Sequence, residues 1–206
     1  YHAKGIPYEE MAILFRTNTQ ARSVMGKLMN YNISFQMRDV VPNLFDHWIA
    51  KNIITYIKLA MGSRERGLML QIMNRPNRYL SRETLQDTEV SFSKWKWYYR
   101  DRDWMIDRID KLEYDLEMLA KTNPYAAINY IRRGIGYDEY LQQYAEYRRM
   151  KPEELLEVVT ELQESARNFD TFEEWFSYME EYKQELERQR ELREKRNIRG
   201  VMLATM

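Results

Sequence analysis

The chain contains no cysteine. Thiolate nucleophiles, disulfide staples and Cys-based metal sites are therefore excluded, and the composition fits a reducing compartment. Histidine is nearly absent as well: His2 and His47 are the only two, too few and too far apart to build an imidazole metal site. Only seven residues are glycine, and none belongs to a GxxxxGK[ST] string, in which backbone amides and a lysine cradle phosphates. No apolar run approaches the ~20 residues of a membrane span, and no signal-peptide pattern opens the chain, so the expected location is cytoplasmic. An excess of either charge is also missing, with 32 basic and 32 acidic residues. A free-standing, non-specific nucleic-acid binder usually has a strongly basic balance, so any such surface here has to be local.

What remains is a helical sequence long enough for one or two domains with a core. Leu44 to Met61 is apolar around most of its circumference, through Phe45, Trp48, Ile49, Ile53, Ile54, Ile57 and Ala60, which predicts a central buried helix. Met105, Ile109, Leu112, Leu116 and Leu119 follow at steps of four and three, a seam of about two heptads. Asn123-Pro124 predicts a helix start, with Ala127, Ile128 and Ile131 on its inner face and Gly134 and Gly136 ending it. Pro152 predicts another start, before Leu155, Leu156, Val159 and Leu162. A long last helix carries Phe172, Trp175, Phe176, Met179, Tyr182 and Leu186 on one face, and its tail from Glu185 to Arg196 alternates in sign like a solvated surface.

Both ends of the chain read differently. Met11 to Phe15 is a continuous apolar run, as expected for a strand buried on both faces of a mostly parallel sheet. Arg16, Thr17 and Asn18 end it, at the carboxyl edge where ligands collect in open α/β sheets. Asn18 or Thr19 can equally be the N-cap of a helix with Ala21, Val24, Met25, Leu28 and Met29 on its inner face. Val201 to Met206 reads as a second strand, and the two strands, around Ile13 and Leu203, are placed to pair with each other.

Several segments together resemble a known family. Arg16-Thr17-Asn18-Thr19-Gln20-Ala21-Arg22 and its preceding strand resemble the AxLxRxNxQSR segment of UvrD/Rep/PcrA-like superfamily 1 DNA helicases. Asn32-Ile33-Ser34-Phe35 is similar to the "GIPY" strand that follows it. Phe45, Ile49, Ile53, Tyr56, Ile57 and Leu59 resemble the FFxxxEIxDxxxYLxL helix, and Ile72-Met73-Asn74-Arg75-Pro76-Asn77-Arg78 resembles INxPxR. Ile135 to Leu141 is similar to SGYxxxL, and Val201 to Thr205 to the start of VxLMTxHxxKGLE, whose His and Lys-Gly are not in the sequence. The order and rough spacing hold over nearly the whole chain.

The resemblance implies a mostly α fold: a helical 2B-type subdomain, residues 39–197, inserted into a small α/β remnant of the RecA-like 2A lobe, residues 1–38 and 198–206. It implies a parent that binds ATP and Mg ions and unwinds DNA. The piece itself, without ATPase motifs and with carboxylates mostly in helical charge patterns, is expected to hold no cofactor and no catalytic residue. Single-stranded DNA is expected at Arg16 and Asn18, with Arg22 one turn along and Thr205 on the last strand. The basic stretch Arg64, Arg66, Arg75, Arg78 and Arg82, with Ser81 at a helix start, reads either as a duplex DNA contact or as a surface loop capped by Ser81 with its arginines in local ion pairs. Here the sequence departs from its relatives, carrying Tyr79-Leu80-Ser81 where they have a Gly-Ile-Gly turn that lets backbone approach the duplex. Gly134-Ile135-Gly136 stands elsewhere and reads as a helix end. Lys94 to Arg100 interleaves bases and aromatics, so Trp95, Tyr98 and Tyr99 are either core or a stacking platform. The region from Gln86 to about Lys121 matches the family least and reads as a helical hairpin. Two alternatives stay open: the matching region of a recombination helicase-nuclease subunit, or a helical module that binds proteins and not DNA. Protein partners on 2B are compatible with either, and a membrane is not expected.

Overall fold

The computed structural model describes residues 2–16, 18–194 and 200–205; of residues 18, 19, 193, 194 and 205 only the backbone is described. It is mostly helical with one small parallel sheet, and it divides into two compact units. Unit 1 comprises Tyr1–Asn43 and Phe176–Met206, and unit 2 comprises Leu44–Trp175. The second division falls after Trp175, within the last helix.

Unit 1 holds three parallel strands, β1 (Ala12–Phe15), β2 (Phe35–Met37) and β3 (Val201–Thr205), in the order β1-β3-β2. The strand that comes last in sequence thus lies in the middle, with Ile13 opposite Leu203 on one side and Gln36 opposite Met202 on the other. Helix α1 (Asn18–Asn30) packs on β1 and β3 and buries Ala21 and Met25. The expectation that β1 is buried on both faces is not met: Ala12 is exposed and Leu14 is 59% exposed. An apolar run reports side-chain chemistry but not the number of layers, and α1 lies on one side of the strand only.

The free edge of β2 is closed in an unusual way. The Gln189 carboxamide accepts from the Met37 N–H at 3.0 Å and donates to the Phe35 carbonyl at 2.9 Å, so one side chain replaces a neighbouring strand. Gln189 is buried, as is Leu186 one turn earlier, so the charged tail of the last helix, α9 (Phe172–Glu194), is not a solvated surface throughout. Leu186 and Gln189 recur on the face that meets the sheet, while Arg188 pairs with Glu185 at 2.8 Å. Gln189→Ala leaves a buried donor and a buried acceptor without partners, at ~1–3 kcal/mol each. The expected outcome is faster amide exchange at Met37, with the amides of the helix Trp48–Ala60 unaffected. Unchanged exchange at Met37 would contradict this role.

Unit 2 is all helix. α2 (Trp48–Ala60) is capped by His47, whose Nδ1 accepts from the Ile49 N–H at 3.3 Å. Ile49, Ile53, Tyr56, Ile57 and Leu59 are fully buried, and the helix is surrounded by its neighbours, as its all-round apolar pattern predicts. Those neighbours are α3 (Arg66–Ile72), α5 (Asp103–Leu119), α6 (Pro124–Arg133) and α8 (Pro152–Ser165). The heptad seam of α5 is buried from Ile109 to Leu119, facing α2 and the short α4 (Phe92–Tyr98). Asn123 caps α6 through the Ala126 N–H at 2.9 Å, with Pro124 in the first turn. Gly134 to Gly136 form the turn into α7 (Tyr137–Arg148), with Gly136 at φ 84°. The buried carboxylates are satisfied: Asp138 takes Arg132 in a fork at 3.2 Å, and Asp115 takes Lys111 at 2.6 Å and the Tyr130 hydroxyl at 2.8 Å. Among the described residues no helix is long and apolar enough to cross a membrane.

Candidate nucleic-acid interface

In unit 1 the parallel pairing sets Phe15 beside Thr205, so the carboxyl ends of β1 and β3 coincide. Arg16 follows directly and is exposed, with its backbone N–H donating to the Gln20 side chain at 3.1 Å. α1 begins at Asn18, and Arg22 is half-buried one turn along. The structure therefore brings the positions of Arg16, Asn18 and Thr205 to one edge of the sheet. Thr17 and the side chains of Asn18, Thr19 and Thr205 lie outside the described residues.

In unit 2 the basic stretch is built differently from a row of free cations. Arg78 is buried, and its guanidinium donates to the carbonyls of Ile72, Met73 and Pro76 at 3.2–3.3 Å and to the Tyr56 hydroxyl at 3.0 Å. It satisfies the carbonyls left open at the C-terminus of α3, where a cation is also favoured by the helix dipole. Arg75, before a cis peptide bond to Pro76, donates to the Asn52 side-chain oxygen at 2.9 Å. Arg64 donates to the Leu59 and Ser63 carbonyls past the end of α2, and Arg66 to the Leu85 carbonyl. Arg82 alone in this group is exposed with no hydrogen bond or ion pair from its side chain to any described residue.

A buried polar network fixes the loop that carries Arg82. Asn52, fully buried on α2, donates to the Tyr137 hydroxyl at 2.8 Å and accepts from Arg75 and from Gln71 at 3.2 Å. The Tyr56 hydroxyl donates to the Arg75 carbonyl at 2.8 Å. Burial raises the pKa of both phenols, so each is a neutral hydroxyl. Asn74 folds the next residues over itself, accepting from the Arg78 and Leu80 N–H groups and donating to the Leu80 carbonyl. Ser81 caps the short helical turn Arg82–Thr84 by accepting from the Glu83 N–H at 3.4 Å, and its own N–H donates to the Tyr99 hydroxyl at 2.9 Å.

Sequence reasoning gave Asn52 no role and met Tyr137 only as part of the SGYxxxL resemblance. The available signal was a lone carboxamide in the middle of a helix apolar on nearly every side. The aromatic stretch divides: Trp95 and Tyr99 are core, whereas Tyr98 is 51% and Trp97 67% exposed, with Arg100 over the Trp97 ring at 4.4 Å.

Compared with known proteins, residues 1–200 match the family of UvrD-like helicase C-terminal domains. The chain belongs to that family. It is 27% identical over 89 residues to the ATP-dependent DNA helicase Rep of Buchnera aphidicola, a match covering 43% of this chain and 14% of that protein. It is 27% identical over 90 residues to the ATP-dependent DNA helicase PcrA of Staphylococcus epidermidis, covering 44% of this chain and 12% of that one. The match to this UvrD-like chain thus spans only 14% and 12% of these relatives. Both relatives are named as ATP-dependent; this chain has no P-loop string, and among the described residues no group of three His, Asp or Glu side chains is placed to hold a metal ion.

Proposed function

We propose that the chain is the 2B region of a superfamily 1 DNA helicase, unit 2 being the 2B subdomain and unit 1 a slice of the 2A lobe. Its parent would use ATP and Mg ions in the cytoplasm to move along single-stranded DNA. In this reading Arg16, with Asn18 and Thr205 at the same sheet edge, meets single-stranded DNA, and Arg22 stands behind them. The exposed face of β1 at Leu14 is where further parts of the lobe would pack. The loop of unit 2 meets duplex phosphate and contributes to regulation of unwinding. The observation that carries the reading is the rigid Asn74–Thr84 segment, which spends Arg75 and Arg78 inside the fold and leaves Arg82, beside the Ser81 cap, free for an anion.

The test is titration of a duplex with a single-stranded tail over a range of salt concentrations. Arg82→Ala is expected to weaken binding and to reduce the salt slope by about one, the signature of one lost phosphate contact. An unchanged slope would remove the duplex role of Arg82. The zero net charge and the inward guanidinium groups favour a second reading, a helical module that binds proteins. That reading predicts no DNA binding by the wild-type chain at low salt.

A further inference from the structure

The backbone of Tyr79 takes the left-handed conformation, φ 56°. A side chain there costs ~1–2 kcal/mol, and such strain clusters at functional sites. The ring does not repay this by burial: it is 68% exposed. Its N–H donates to the Asn77 side chain at 3.0 Å, and the flanking amides of Arg78 and Leu80 are held by Asn74, so the ring projects from a fixed base.

The Arg108 guanidinium lies over the Tyr79 ring, 5.3 Å from its centre, and is itself anchored by donating to the Arg78 carbonyl at 2.9 Å. Trp104 stands one helical turn earlier on α5 and is 57% exposed. Positions four apart are neighbours on a helix surface. The Tyr79 ring and the Arg108 guanidinium thus meet on a hydrogen-bonded support, and Trp104 occupies the neighbouring position on the helix. Flat aromatic faces interleaved with a guanidinium plane accept nucleic-acid bases without reading their sequence.

We propose that Tyr79, Arg108 and Trp104 form a stacking platform for an unpaired DNA base beside the phosphate contact at Arg82. This deepens the duplex-contact reading above and rests on it. The experiment uses the 206-residue chain and a tailed duplex with 2-aminopurine at the first unpaired position, measuring fluorescence quenching and affinity across salt concentrations. Wild type is expected to quench the probe. Tyr79→Ala should bind about tenfold more weakly, as expected for one lost base stack, with quenching abolished and the salt slope unchanged. Tyr79→Phe should keep both properties, and Tyr79→Gly, which relieves the left-handed backbone while removing the ring, should behave like the alanine variant. Arg82→Ala should show the converse, a reduced slope with quenching retained. Binding without quenching in wild type, or affinity and quenching unchanged in Tyr79→Ala and Tyr79→Gly, overturns the platform and leaves the phosphate contact standing. Absence of DNA binding by wild type overturns both.

Discussion

Gly200→Ala is expected to dismantle the sheet of unit 1. Gly200 has φ 86°, and a Cβ there would lie 2.0 Å from the Ser34 carbonyl oxygen and 2.3 Å from its carbon. Both are backbone atoms, so no rotamer change relieves the overlap. The same carbonyl accepts the Val201 N–H at 2.9 Å, the first bond joining β3 to β2. A left-handed alanine and a displaced ladder bond together cost roughly 3 kcal/mol or more. Because the molecule is mostly helical, circular dichroism will register little of this. Hydrogen exchange will: protection at Met202 and Arg38, whose N–H groups donate to Met11 and Leu203, should collapse while α2 stays protected. Gly67→Ala is the control, since a Cβ there meets nothing within 4 Å on a helix. It should be neutral or stabilising by about 0.5–1 kcal/mol. Retained protection at Met202 in Gly200→Ala would mean that the close approach to Ser34 does not limit the fold.

Asn52→Ala is the second large effect, and it falls on unit 2. The substitution strips the Tyr137 hydroxyl of its donor and the Arg75 guanidinium of its acceptor. Tyr137 is fully buried, so water cannot replace the lost bond without opening the core. Unsatisfied buried groups of this kind cost ~1–3 kcal/mol each, and a loss of about 2–4 kcal/mol is expected. Asn52→Leu restores the volume without the hydrogen bonds, so it should remain nearly as destabilised if the network is what matters. Full recovery in the leucine variant, measured by urea denaturation, would assign the effect to packing instead. A further consequence distinguishes this site: Asn52 touches no solvent, yet its loss should weaken DNA binding through the loop that Arg75 anchors.

Much of the scaffold was legible because the relevant signals are local. Asn123-Pro124 marks a helix start through a cap and a ring that needs no donor, and the α5 seam follows from spacing alone. The exposure of Leu14 was not legible, since it depends on what packs against the strand. Nor was the inward turn of Arg78, because its partners are carbonyls of Ile72 and Met73 left open where α3 stops, an arrangement that exists only once the chain has folded. A cluster of arginines in sequence therefore overstated the free positive charge. Gln189 shows the reverse: a polar residue in a charged tail proved to be the closing piece of a sheet edge.

The edge-to-face contact between Phe45 and Trp175, with ring centres 6.4 Å apart, joins the first turn of unit 2 to its last residue. Unit 2 therefore leaves the chain where it found it. For β3, which follows unit 2 in sequence and must insert between β1 and β2, this changes the kinetic problem. With unit 2 unfolded, closing the sheet means closing a very long loop; with unit 2 folded, the same closure spans a short tether, an entropic saving of roughly 2 kcal/mol. Loop-closure entropy therefore favours closing the sheet of unit 1 after the helices of unit 2 have formed.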